Sequence, residues 1–122
     1  QHGADIEVRD QIERTPLLWA ATNSNIELAG FLLENYANVA ATNNRGRTAL
    51  HLSVESNDKE HREDMVRLLL AYGADPGATS DGGWTPLHNA AQSGYTSVAA
   101  LLLEAKANVN AELSNGMTPL QY

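Results

Sequence analysis

One short phrase recurs four times along the chain, and that recurrence leaves few folds open to it. The phrase reads Thr15-Pro16-Leu17-Leu18, Thr48-Ala49-Leu50-His51, Thr85-Pro86-Leu87-His88 and Thr118-Pro119-Leu120-Gln121, with successive threonines 33, 37 and 33 residues apart. A second phrase, Ala4-Asp5-Ile6, Ala37-Asn38-Val39, Ala74-Asp75-Pro76 and Ala107-Asn108-Val109, places its alanine 11 residues ahead of each threonine. A third, Phe31-Leu32-Leu33, Leu68-Leu69-Leu70 and Leu101-Leu102-Leu103, ends four residues before the next alanine every time. The only irregularity is four extra residues in the middle unit, around positions 57–64. A period of this size marks a unit that cannot bury its own apolar face and must stack on copies of itself.

Each phrase has a local physical reading. The threonine hydroxyl can accept an orphan amide at a helix start, and proline at the first helical position has no amide to lose and a preset φ. A short helix is expected from about Pro86 to Ser93, with Ala90-Ala91 and Ala20-Ala21 small enough for close helix approach and Gly94 suited to the turn. Val98, Leu101 and Leu102 then form an apolar stripe at helical spacing on a second helix. Gly3 and Gly73 stand where a left-handed helix end is expected, whereas Tyr36 and Lys106 hold the same place elsewhere. A positive φ at either residue would cost roughly 1 kcal/mol. The connectors end in polar turn sequences rich in Asn, Asp, Ser and Gly, except the first, at 10–13, which lacks glycine.

The run Thr85-Pro86-Leu87-His88-Asn89-Ala90-Ala91, followed by Gly94, Val98 and Leu101-Leu102-Leu103, resembles the ankyrin repeat family. The resemblance spans essentially the whole chain. It implies an all-α solenoid of stacked helix pairs with hairpin-like connecting loops, as a single domain over residues 1–122. Repeats are expected at 10–42, 43–79 and 80–112, with partial repeats at 1–9 and 113–122. Because both ends fall inside a repeat, the chain is expected to be a piece of a longer array. His51 and His88 are expected to bond loop to helix.

The resemblance further implies a protein–protein interaction module that binds a partner through the concave face and the hairpin tips. The residues just before the helix-opening threonines are Arg14, Arg47, Trp84 and Met117. Arg45 and Asp81 join them on the tips, and Glu55 and Gln92 on the first helices. Arg and Trp are over-represented among binding hot spots, so Trp84 is the expected anchor of a partner acidic at one end and apolar at the other. Trp19 is expected to stack on Leu52 of the next repeat. Two other readings are a sensing or recruiting segment of a larger signalling protein and a substrate for hydroxylation at Asn110. For the latter, 102–110 resembles known target loops, with Asn108 in place of the usual acidic residue.

Composition narrows the partner. With a formal net charge of −7, the chain would repel a nucleic-acid backbone. No apolar run is long enough to span a bilayer, so membrane insertion is not expected. There is no cysteine for a thiolate site or nucleophile, and Gly82-Gly83 lacks the Lys-Ser or Lys-Thr of a phosphate loop. His61, beside Glu60, Glu63 and Asp64, reads as part of a solvated charged run rather than a metal site. The expectation is an intracellular monomer without catalysis or cofactor. The four extra residues are close to one helical turn, so the second helix of that repeat should start early, near Asp58. Asn57 and Glu60 would form its capping box, and Lys59, His61 and Arg62 a charged step.

Overall fold

Thr15, Thr48 and Thr85 each cap a helix, as their phrase requires. In the computed structural model, which describes residues 15–105, their hydroxyls accept the amides of Leu18, His51 and His88 at 3.3, 3.4 and 3.2 Å. The helices so begun are α1 (Pro16–Thr22), α3 (Ala49–Glu55) and α5 (Pro86–Ser93). Each is followed by a partner: α2 (Ile26–Glu34), α4 (Lys59–Ala71) and α6 (Thr96–Glu104). Helices α1, α3 and α5 pack side by side in one row, α2, α4 and α6 in a second, and each helix also packs on its own partner. No strand is present among the described residues; a lone antiparallel bridge joins Thr42 to Thr48. This is the expected solenoid of helix pairs.

The core lies between the two rows. Leu17, Leu50, Val54, Met65, Val66, Leu69, Leu87 and Leu102 are all but completely buried. Ala20, Ala49 and Ala90 are at 0% exposure, so the inner helices meet at their small residues. The 11-residue connectors open with an Asn or Asp for a physical reason. Asn38 Oδ1 accepts the Ala40 amide at 3.0 Å and Asp75 Oδ1 the Gly77 amide at 2.9 Å, so each side chain closes its own turn.

Helix ends carry the strain foreseen for one residue and reveal another. After α2 and α4 the chain doubles back through left-handed residues: the Ala37 amide reaches Leu32 O and the Ala74 amide reaches Leu69 O, both at 3.0 Å. Gly73 serves that place in one repeat at φ 90°, but Tyr36 holds it in the other at φ 69°, with 93% of the residue exposed. Nothing about so exposed a ring offsets the backbone cost. Tyr36→Gly is therefore expected to raise stability by about 0.5–1 kcal/mol in chemical denaturation, relief of strain outweighing the added chain entropy. Ser24, at φ 55°, occupies the place Gly94 fills in α5 at φ 73°. Its hydroxyl lies 2.6 Å from that of Ser56 one repeat on, a hydrogen bond that glycine could not make.

The four extra residues lengthen a helix, as their number suggested. Helix α4 has 13 residues against 9 in α2, and its face stays in register, with Met65 and Leu69 fully buried. The cap differs from expectation: Asp58, not Asn57, accepts the His61 amide, at 3.1 Å. A second correction concerns Arg62, which is only 9% exposed and so is no part of a charged step. Its Nε donates to Ser56 O at 2.9 Å, and its guanidinium carbon sits 3.6 Å from the centre of the Tyr95 ring. The inserted turn is thus tied to the following repeat by a cation–π contact.

Candidate protein-binding face

The loops between repeats are built by their own side chains. Asn43 Oδ1 accepts the amides of Arg45 at 2.8 Å and Arg47 at 3.1 Å, which closes the first tip and points both arginines outward from one short hairpin. The next tip turns through Asp81–Gly83, with Gly82 at φ 82°, the Gly83 amide on Ser80 O at 3.0 Å and the Ser80 amide on Trp84 O at 2.7 Å. The tips touch each other: the Asp81 amide donates to Arg45 O at 3.0 Å. Gly46 is required there twice over. Its φ is 74°, and a Cβ would lie 3.2 Å from Asp81 Oδ1 and 3.3 Å from the Asp81 amide nitrogen.

Histidines bind tip to helix as expected. His51 Nδ1 accepts the Thr48 amide at 3.0 Å, which leaves Nε2–H to donate to Trp84 O of the next hairpin at 2.9 Å. His88 Nδ1 accepts the Thr85 amide at 3.1 Å. Burial holds His51 below the usual imidazole value, opposed by the Trp84 carbonyl. The ring is a neutral structural strut.

The predicted contact residues do not all stand alike. Arg45, Asp81 and Gln92 are exposed. Arg47 pairs with Glu55, Nη1 to Oε1 at 2.9 Å, and Asn89 of the next repeat donates from Nδ2 to Glu55 Oε2 at 2.5 Å. Trp84 is half-buried, its ring edge-on to His88 with centroids 5.7 Å apart. Trp19, for which stacking on Leu52 was expected, keeps 41% of its surface exposed and adds an aromatic to this face. Arg14 and Met117 lie outside the described residues, as do Gly3, Lys106, Asn108 and Asn110.

Two residues that matter here were not singled out as contacts, Trp19 and Asn89. Both occupy the variable place between the fourth residue of the Thr phrase and the small residue after it, as does Leu52. The signal was in the repeat register: that place falls on the outward face of every inner helix.

Glu55 is pushed above the usual carboxylate range by burial, against the pull of Arg47 and the Asn89 hydrogen bond. The sign follows: the folded chain holds this proton more tightly than the unfolded chain, so the ionised form lowers stability above the usual value of 4.5. Glu55→Gln should therefore gain stability relative to the parent as pH rises through the range just above 4.5, with the difference flat below it. Paired melting curves between pH 3.5 and about 7 would check this.

Asp58, Glu60 and His61 bring one ligand atom each within 4.8 Å of one another. The grouping is accounted for by the helix cap: His61 Nδ1 lies 2.8 Å from Asp58 Oδ2, a pairing that raises the imidazole and lowers the carboxyl.

A family profile described as "Ankyrin repeats (3 copies)" matches residues 2–80 and again 60–122. The chain belongs to the ankyrin repeat family. Its relatives include an ankyrin repeat protein of Fowlpox virus (strain NVSL), 35% identical over 97% of this chain and 36% of its own length. Ankyrin repeat and SOCS box protein 16 of Mus musculus is 36% identical over 88% of the chain and 25% of its own length. Protein phosphatase 1 regulatory subunit 27 of Homo sapiens is 33% identical over 76% of the chain and 58% of its own length. The chain thus spans between a quarter and about three fifths of these relatives. Ankyrin repeats are non-catalytic modules of protein–protein interaction. No helix among the described residues is long and apolar enough to cross a membrane.

Proposed function

We propose that this ankyrin array is a recognition module that binds another protein, as a monomer, through the α1–α3–α5 face and the adjoining hairpin tips. The observation that supports it is where chemical variety is exposed. The inner helices bury their alanines and leucines and turn Trp19, Leu52, Glu55, Asn89 and Gln92 to one side, with Arg45, Arg47, Asp81 and Trp84 beside them. Arg14 and Met117 extend the same row by sequence register. A net charge of −7 makes a protein partner a better fit than nucleic acid.

Photo-crosslinking tests the placement. A benzophenone side chain at Gln92 or Thr22 should give partner adducts in the native cell, and one at Glu34 or Glu27 on the second row should give none. Adducts confined to the second row would count against this face.

A second reading, a recruiting segment of a larger protein, is favoured by relatives that extend well beyond the matched stretch. An antibody raised against the chain should then detect a polypeptide much larger than 122 residues; a band of this size alone would argue against it.

A further inference from the structure

The polar groups on the proposed face are unequally committed. Both oxygens of Glu55 are taken, Oε1 by Arg47 and Oε2 by Asn89. The charge of that carboxylate is matched by Arg47, although each oxygen keeps a lone pair. A guanidinium has five N–H donors, and among the described residues Arg47 places only Nη1 on a partner. Arg45 is exposed, and its side chain forms no ion pair among the described residues. Beside Glu55 the hydrogen-bonding capacity left over is therefore that of Arg45 and Arg47, with the exposed carboxylate of Asp81 on the adjoining tip, although the chain as a whole carries −7.

An apolar surface adjoins it. Leu52 lies three residues before Glu55 on α3, so the two side chains are neighbours on one helix face, and Arg47 reaches that face by its bond to Glu55. Trp19 holds the equivalent place on α1, which packs directly on α3. Trp19 is 41% exposed and Leu52 half-buried.

Resting on the reading above that this face binds protein, we propose that its partner presents an acidic peptide segment with an apolar side chain close to a carboxylate. The carboxylate docks on Arg45 and Arg47, in the bidentate manner that suits guanidinium, and the apolar side chain lies on Trp19 and Leu52. Glu55 and Asn89 hold Arg47 in place between encounters. A rigid, partly desolvated guanidinium loses less freedom on binding than a mobile one.

The test uses the full 122-residue chain, immobilised and challenged with a displayed library of random dodecapeptides at near-physiological salt. Enriched peptides should carry Asp or Glu within a few positions of Leu, Phe or Trp. Synthetic versions should bind an Arg45→Gln, Arg47→Gln double variant at least tenfold more weakly, and the same for Trp19→Ala. Replacing their Asp and Glu by Asn and Gln should have an equal effect. Circular dichroism melts of both variants should stay within a few degrees of the parent, separating lost contacts from lost folding. Enrichment of basic or uncharged peptides that still compete at this face would overturn the acidic partner while leaving the binding face intact. Peptides unaffected by either variant, or no enrichment at all, would overturn both.

Discussion

His51→Ala is expected to cost about 3 kcal/mol, because it strands the buried Thr48 amide, removes a hydrogen bond between repeats and empties a fully buried site. His51 is at 0% exposure and joins the Thr48 amide of its own helix start to Trp84 O of the next hairpin. Each buried group left without its partner costs about 1–3 kcal/mol, and the lost ring leaves a cavity besides. The hairpin carrying Trp84 should loosen first, since it is then held to the preceding tip by the Asp81–Arg45 backbone bond without the His51 strut. Urea denaturation would give the cost, and Gln92→Ala, an exposed change on α5, should stay within about 0.5 kcal/mol of the parent. The same strut sets a pH dependence. With its folded-state value lowered, His51 contributes stability that is complete above 6.5 and declines as pH falls below it. A loss for His51→Ala no greater than for Gln92→Ala would show that the strut carries no weight.

Leu50→Ala should be comparably severe, at about 2–5 kcal/mol. Leu50 is at 0% exposure on α3, the helix that packs on α1, α4 and α5. A void there weakens the interface on both sides of the middle repeat, and a repeat array is stabilised chiefly by such nearest-neighbour interfaces. The parent should unfold in one cooperative step and the variant at a lower urea midpoint with an unchanged slope. A reduced slope would mean instead that the repeats had uncoupled and were unfolding separately. Leu103→Ala, 42% exposed on α6, should cost clearly less.

The fold was legible in the sequence because the repeat phrases are local instructions repeated in phase. Thr-Pro fixes a helix start by capping and a preset φ, and the lengthened α4 followed from four residues making about one turn. What the sequence could not assign was which of several similar groups would win a place. Asp58 rather than Asn57 caps α4, since Asp58 can bond both the amide and the ring of His61. Arg62 left the predicted charged step because the Tyr95 ring and Ser56 O, one from the next repeat, lie within its reach. The two tryptophans diverged for a similar reason: Trp84 has His88 beside it on the following helix, whereas Trp19 stands at an outward place on α1. Contacts across repeats are invisible to a single-repeat reading.

Amide hydrogen exchange on the intact chain, with and without the partner recovered by crosslinking, would locate the binding face. Added protection is expected at the tips around Arg45–Arg47 and Asp81–Trp84 and along α1, α3 and α5, with α2, α4 and α6 unchanged beyond the general slowing that binding brings. New protection concentrated on α2, α4 and α6, with both tips exchanging as in the free chain, would contradict this placement.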